Sequence, residues 1–195
     1  MTLEQFFAEN REVAIAFSGG VDSAYLLYAA TRYAARVKAY YVSTAFQPEF
    51  ELEDARRLAD ELGADMLVLH VDVLSNSAVT ANPSDRCYHC KNTLFRQILR
   101  AAESDGFPVL LDGTNASDDA GDRPGMRALR ELSVRSPLRE CGLTKAEIRR
   151  LSREAGLFTW DKPAYACLAT RIRTGEEITL QKLKQTEKAE GFLFG

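Results

Sequence analysis

Ser18-Gly19-Gly20-Val21-Asp22-Ser23 follows the apolar run Val13–Phe17 and leads into helix-forming residues from Ala24. A strand, a glycine turn and a helix N-terminus, in that order, make a cradle for phosphate. Gly19 and Gly20 allow the backbone to approach an anion closely and to turn with φ > 0. Unpaired N–H groups at the helix start, and the helix dipole, then favour the bound negative charge. Ser18 and Ser23 add hydroxyl donors. Asp22 would repel a phosphate unless a cation such as Mg²⁺ lies between them, so its presence points to a metal-bound nucleotide. A Gly-Gly turn capped by Asp or Ser also occurs in helices without any ligand; the complete string after an apolar strand is what favours the phosphate reading. The lysine of the G-x-x-x-x-G-K-[ST] loop is missing, which sets this motif apart from P-loop kinases.

A second set of reactive groups is sulfur. Arg86-Cys87-Tyr88-His89-Cys90-Lys91 is a C-x-x-C flanked by cations, and cations favour the thiolate that binds metal or attacks electrophiles. Cys167 stands apart, in Lys162-Pro163-Ala164-Tyr165-Ala166-Cys167-Leu168-Ala169-Thr170-Arg171. Several readings stay open from the residues alone. Zinc wants four ligands and would have to recruit Cys141 or His89 as well as Cys167. A thioredoxin-like pair fits poorly, because Asn82–Asp85 before the motif reads as irregular and not as a strand. The thiols could also be structural. Three thiolates, Cys87, Cys90 and Cys167, could hold a [4Fe-4S] cluster with one iron open, although four cysteines are the commoner ligation. Cys141 reads as incidental.

The elements that must position these groups alternate between strand and helix, which predicts an α/β fold with an open parallel sheet and helices on both faces. Helical patterns cover Glu4–Glu9, Ser23–Ala35, Glu49–Leu62 with Gly63 as C-cap, Leu94–Ser104, and Ile178–Ala189; strands are expected at Val13–Phe17, Val37–Val42, Met66–Val71 and Val109–Leu111. Thr144 and Glu147 form a capping box for a helix running to Ala155. In such sheets, ligands gather beyond the C-terminal strand ends. Ser43 and Thr44 after the second strand, and Asp112-Gly113-Thr114-Asn115 after the fourth, fall there. Ser43 and Thr44 could line an adenine or ribose pocket or simply be polar strand-exit residues. Gly113 and Thr114 could complete the phosphate site or form an ordinary turn.

Composition bounds the setting. The 195 residues carry a net charge of −3, so no global basic field attracts nucleic acid. No apolar run approaches the ~20 residues that span a bilayer, and the polar N-terminus has no signal-peptide core. A cytoplasmic location is therefore expected. In a reducing compartment, four cysteines read as metal-binding or catalytic before they read as disulfides.

Taken together, S-G-G-V-D-S, N-P-S-D-R-C-Y-H-C-K, D-G-T-N, D-R-P-G at Asp122–Gly125 and K-P-A-Y-A-C-L-A-T-R resemble, in that order, the ATP-dependent sulfur transferase LarE family of the PP-loop ATP pyrophosphatase superfamily. The resemblance spans Val13 to Thr179. It implies an adenine nucleotide alpha-hydrolase-like, Rossmann-like domain over residues 1–160. Residues 161–195 would open a sulfur-transfer region that is cut short of the family's usual C-terminal part. It also implies adenylylation of a carboxylate of pyridinium-3,5-biscarboxylic acid mononucleotide, release of pyrophosphate and insertion of sulfur, in nickel-pincer cofactor biosynthesis for lactate racemase.

On this reading Ser18, Gly19, Gly20, Val21, Asp22, Ser23, Ser43, Gly113 and Thr114 bind ATP, and Asp22 helps place Mg²⁺. Arg123 and Arg171 contact the substrate, with Asp112, Asp118 and Glu131 as further candidates. One branch of the family sacrifices a single cysteine, matching Cys167; the other holds a [4Fe-4S] cluster on three, matching Cys87, Cys90 and Cys167. All three are present here, which favours the cluster branch. The implied partners are a small-molecule nucleotide substrate, a sulfide donor and further copies of the chain. The competing functions are tRNA 2-thiolation and a non-catalytic adenine-nucleotide-binding domain.

Overall fold

Four parallel strands form the centre of the protein: β1 (Glu12–Phe17), β2 (Arg36–Ser43), β3 (Asp65–His70) and β4 (Val109–Leu111), in the order β3-β2-β1-β4. The computed structural model describes residues 1–118 and 124–194. The helices are α1 (Leu3–Glu9), α2 (Val21–Tyr33), α3 (Glu49–Leu62), α4 (Ser77–Thr80), α5 (Arg86–Ser104), α6 (Pro124–Glu131), α7 (Pro137–Glu140), α8 (Lys145–Glu154) and α9 (Leu180–Phe194). No helix among the described residues is long and apolar enough to cross a membrane.

Side chains alternate across the sheet and sort into two apolar layers. Val13, Ile15, Phe17, Ala39 and Tyr41 pack with α1, α2, Ala55 and Leu58 of α3, and Ile148 of α8. Ala14, Tyr40, Val42 and Leu110 face the other way and pack on Ile98 and Ala102 of α5. Register fixes this division: Ala16 pairs with Tyr40, Phe17 with Tyr41, and Ala14 with Leu110. A one-residue slip would exchange the two faces. The switch point of the order, where β1 has β2 on one side and β4 on the other, opens the crevice in which the glycine loop lies.

A third apolar cluster joins the C-terminal segment to this sheet domain. Leu168, Ala169, Ile172, Ile178 and Leu183 pack on Phe46, Val73 and Val79. Backbone hydrogen bonds run the same way, from Leu168 N–H to Phe46 O (2.9 Å), Gly175 N–H to Asn82 O (2.8 Å) and Ile178 N–H to Thr80 O (2.8 Å). The segment that carries Cys167 is thus seated beside the C-terminal ends of the strands.

Helix starts shift from the sequence expectation. Helix α1 begins one residue early, at Leu3, α2 begins at Val21, directly after the glycines, and α9 begins at Leu180, two residues late. The largest shift is α5, which begins at Arg86, eight residues before the expected Leu94. The first turns of α5 read R-C-Y-H-C-K-N, with no apolar period to announce a helix, and their inner face is made of Arg86 and Cys90. Cys87 and Cys90 therefore stand on one helix, one turn apart. The capping box on α8 forms as expected, with Thr144 accepting from Glu147 N–H and Glu147 accepting from Thr144 N–H. Gly63 closes α3 at φ +60°.

Candidate active site

The glycine loop is built for close approach. Gly19 has φ +72°, and a Cβ there would lie 3.2 Å from the Ala55 Cβ of α3, so both its conformation and its neighbour favour glycine. Gly20 is the N-cap of α2 and offers no side chain to satisfy the first-turn N–H groups, which have no intrahelical acceptor. Ser23 Oγ folds back into the loop, accepting from Ser18 N–H at 3.3 Å and donating to Gly20 O at 3.2 Å; Ser18 Oγ lies 3.0 Å from it. A ring of N–H and O–H groups results at the N-terminus of a thirteen-residue helix, the arrangement that holds phosphate oxygens.

The D-G-T-N loop supports the cradle from below. A Cβ on Gly113 would stand 2.9 Å from Ser23 N and 3.2 Å from Ser23 Cα, so the loop packs directly against the start of α2. Asp112 is held by Thr114 Oγ1 (2.5 Å) and Ser136 Oγ (2.6 Å), and Asp118 accepts from Asn115 N–H (2.9 Å). Thr114 thus spends its hydroxyl on Asp112. Gly113→Ala is expected to cost about 1–3 kcal/mol of stability by overpacking and to weaken ATP binding; thermal unfolding and nucleotide titration check both parts.

A cavity of about 360 Å³ opens above this loop. Its wall includes Ser18, Gly20, Val21 and Asp22 of the glycine loop, and Lys162, Tyr165 and Cys167 of the C-terminal segment. Of the sequence-predicted residues outside the loop, Cys167 lines the cavity, whereas Ser43, Gly113, Thr114, Cys87, Cys90 and Arg171 do not. Arg171 instead donates to Glu190 Oε1 of α9 (2.5 Å) and to the carbonyl of Ala166 (2.9 Å). Glu131 accepts from the Tyr88 hydroxyl (2.7 Å). Arg123 and Asp122 lie outside the described residues.

Two lysines were not legible as site residues. Lys145, the first residue of α8, places Nζ 2.6 Å from Asp22 Oδ2. Lys162 is held by Asp54 (2.7 Å) and Glu51 (3.5 Å), and burial raises the Glu51 carboxyl above its ordinary value. Lys145 sits 123 positions from Asp22 in sequence, and its one available signal is that it follows the Thr144 N-cap. The other oxygen of Asp22, Oδ1, is buried and has no hydrogen-bond partner among the described residues. An unpartnered carboxylate oxygen beside an anion cradle is a hard donor that fits Mg²⁺.

The sulfur groups converge from two elements. Cys90 and Cys167 pack in the same apolar cluster, while Cys87 is exposed one turn away. Burial pushes the Cys90 thiol up to about 12, helped by the neighbouring Cys167 and Cys87. Burial also raises Cys167, against the opposing pull of Arg86. Alkylation of Cys90 is therefore expected to stay slow at neutral pH and to keep rising beyond about pH 9, since its thiolate is scarce until the raised value is approached; a plateau near the ordinary thiol value of about 8.5 would contradict this.

No three His, Cys, Asp or Glu side chains among the described residues are placed to share one metal ion, which leaves a single-zinc site unassembled there. Thiols that each ligate a different iron of a cluster stand farther apart than thiols sharing one ion. Cys87 and Cys167 add to the cost of ionising Cys90, and Cys87 adds to that of Cys167; binding to iron would relieve both. Cys141 packs against the first apolar layer, away from the three.

Comparison with known proteins shows the family. Residues 4–119 match the asparagine synthase family. The chain is 40% identical to an uncharacterized protein of Synechocystis sp. over 98% of its own length and 72% of the relative's. It is 31% identical to the pyridinium-3,5-bisthiocarboxylic acid mononucleotide synthase of Lactiplantibacillus plantarum, over 98% of this chain and 70% of that one. Among solved structures, the fold is similar to the U34-tRNA thiolase NcsA from Methanococcus maripaludis with its [4Fe-4S] cluster. The TM-score is 0.63 and the identity 19%, over 98% of this chain and 72% of that one. It is also similar to the NMN synthetase from Francisella tularensis, with a TM-score of 0.64 and 11% identity over 97% and 92% of the two chains. With the glycine loop, the D-G-T-N support and the sulfur-lined cavity in place, these matches settle the kinship: the chain belongs to the LarE family of PP-loop ATP pyrophosphatases.

Proposed function

We propose that the protein is an ATP-dependent sulfur transferase that adenylylates a carboxylate of a pyridinium mononucleotide and replaces one carboxylate oxygen with sulfur. The observation that carries this reading is the position of Cys167 in the wall of the same cavity as Ser18, Gly20, Val21 and Asp22. Activation and sulfur delivery need the same carbon, so both halves must face one space.

The loop residues Ser18–Ser23 hold the β- and γ-phosphates, with Gly113 and Thr114 beneath them and Ser43 at the end of β2 toward the nucleoside. The substrate carboxylate oxygen attacks the α-phosphorus, the bond to the bridging oxygen breaks, and pyrophosphate leaves into the N–H groups of α2. Mg²⁺ at Asp22 would neutralise charge on the departing pyrophosphate. Lys145 and Lys162 bring two ammonium groups to the same cavity. Sulfur then attacks the acyl carbon and AMP departs with the former carboxylate oxygen. A [4Fe-4S] cluster on Cys87, Cys90 and Cys167 would supply a transferable sulfide.

Arg123 is assigned to the substrate phosphate, and Arg171 to holding the Cys167 turn from behind. Residues 1–160 act as the nucleotide-activating unit and residues 161–195 as the start of the sulfur-transfer unit, in a cytoplasmic homo-oligomer. The 31% identity to a bisthiocarboxylic acid mononucleotide synthase supports this substrate class.

The test is anaerobic incubation with ATP, Mg²⁺, sulfide and pyridinium-3,5-biscarboxylic acid mononucleotide, reading pyrophosphate and product mass. Substrate-dependent pyrophosphate release with an oxygen-to-sulfur mass change is expected. Release that depends on tRNA, and falls with rising salt, would replace this reading by tRNA thiolation; nucleotide binding without release would reduce the protein to a binding domain.

A further inference from the structure

Arg86 is a buried cation in the middle of the sulfur site, and the reaction as described gives it no part. It is 9% exposed. Nη1 donates to Asn82 Oδ1 at 2.7 Å and to Ala169 O at 2.9 Å, and Nη2 lies 4.0 Å from Cys87 Sγ. Both oxygens are neutral. No carboxylate pairs with Arg86 among the described residues, although burial of a charge ordinarily requires a counter-charge. Sulfur lies beside it: Cys87 is its chain neighbour with Sγ 4.0 Å from Nη2, and the Ala169 carbonyl it holds is two residues from Cys167.

The same guanidinium joins two elements that are far apart in sequence. Cys87 and Cys90 belong to α5, whereas Ala169 lies in the short turn Leu168–Arg171 next to Cys167. Asn82 extends the link. Its buried amide donates to Ile172 O (3.3 Å) and Arg173 O (2.9 Å), and its φ of +52° turns the chain so that Arg86 can reach it. One rigid fork therefore grips both the Cys167 turn and Asn82, which in turn anchors Ile172 and Arg173.

We propose that Arg86 is the positioning residue of the sulfur site: its fork clamps the Cys167 turn onto the C-x-x-C helix, and its charge, which no carboxylate among the described residues pairs, faces the sulfur site and draws anions to it. The proposal deepens the sulfur-transfer reading, on which the three thiols form one site, but its test needs no turnover. Cluster-free protein is prepared in a Cys87→Ala, Cys141→Ala background, leaving Cys90 and Cys167.

Two readouts are taken. The first is cross-linking by dibromobimane, which fluoresces strongly only after two thiols are alkylated. Arg86→Gln is expected to lower the cross-linked yield at least about fivefold, because the turn swings free of α5. The second is the ratio of thiol reaction rates with an anionic and a neutral aromatic disulfide (dithionitrobenzoate and dithiodipyridine). The ratio cancels the thiolate fraction and reports local charge. It is expected to fall about fivefold in Arg86→Gln and to be retained in Arg86→Lys, which keeps the charge and loses the fork.

Parental cross-linking in Arg86→Gln would overturn the clamp, as would absence of cross-linking in the parent. An unchanged rate ratio in Arg86→Gln would overturn the anion-facing charge. If Arg86→Gln does not fold, Arg86→Lys decides the clamp: lowered cross-linking supports it and parental cross-linking overturns it. The charge is then read in the parent, where a rate ratio no higher than that of a free peptide thiol overturns it and a higher one supports it. Failure of sulfur transfer with both readouts as expected would remove the functional reading and leave Arg86's role standing.

Discussion

Cys167→Ser is expected to abolish formation of the sulfur-containing product, by at least about 10²-fold, while ATP-dependent pyrophosphate release persists within about threefold of the parent. The reason is the division of labour across the cavity. On the proposed reading the phosphates sit at the glycine loop, whereas Cys167 belongs to the C-terminal segment that lines the same cavity together with Lys162 and Tyr165. A hydroxyl in place of the thiol removes the sulfur ligand and nucleophile with little change of volume, and it leaves the N–H groups of α2 untouched. Pyrophosphate and product mass, measured on one sample, separate the two half-reactions. Cys141→Ala, whose side chain packs on the first apolar layer, is expected to retain both. Loss of pyrophosphate release in Cys167→Ser would mean that the cysteine takes part in activation, and the division of labour would not hold.

The activating half of the site was more legible in the sequence than the sulfur half. Ser18–Ser23 is a local motif: the strand, the turn and the helix N-terminus are adjacent in the chain, so their geometry follows from residue type and order. The sheet was legible for the same reason, since β1 and β2 carry β-branched and aromatic residues and β3 is the apolar run Met66–Leu69 between polar ends. By contrast, the first turns of α5 lack an apolar period because their inner face is Arg86 and Cys90, packed against a turn some eighty residues later. Lys145 and Lys162 acquire their roles only through partners at Asp22 and Asp54, more than a hundred residues away. Arg171 read as a substrate cation because it sits in the cysteine motif. Its guanidinium is occupied by Glu190, on a helix whose start was expected two residues early. Long-range ion pairs of this kind leave no periodicity in a single sequence.

Asp22→Asn carries the other large expected effect, and its sign differs between binding and chemistry. Asp22 faces the ammonium of Lys145 with Oδ2, while Oδ1 is buried without a partner among the described residues. That ion pair is partly exposed and worth at most about 1 kcal/mol, so the variant is expected to fold. Removing one negative charge beside the polyphosphate should tighten ATP binding without Mg²⁺ by a few-fold, on the order of 1 kcal/mol for a charge pair about 4 Å apart in a solvated site. The freed Lys145 ammonium acts in the same direction. Pyrophosphate release should nevertheless fall at least about 10²-fold, because the amide is a poor ligand for a hard cation and the leaving group loses its metal counter-charge. Calorimetric titration of ATP with and without Mg²⁺, beside a pyrophosphate assay, resolves the two effects. Tighter metal-free binding with lost release assigns Asp22 to the cation. Unchanged release would reduce Asp22 to a structural partner of Lys145, and the metal would then have to be held by the nucleotide alone.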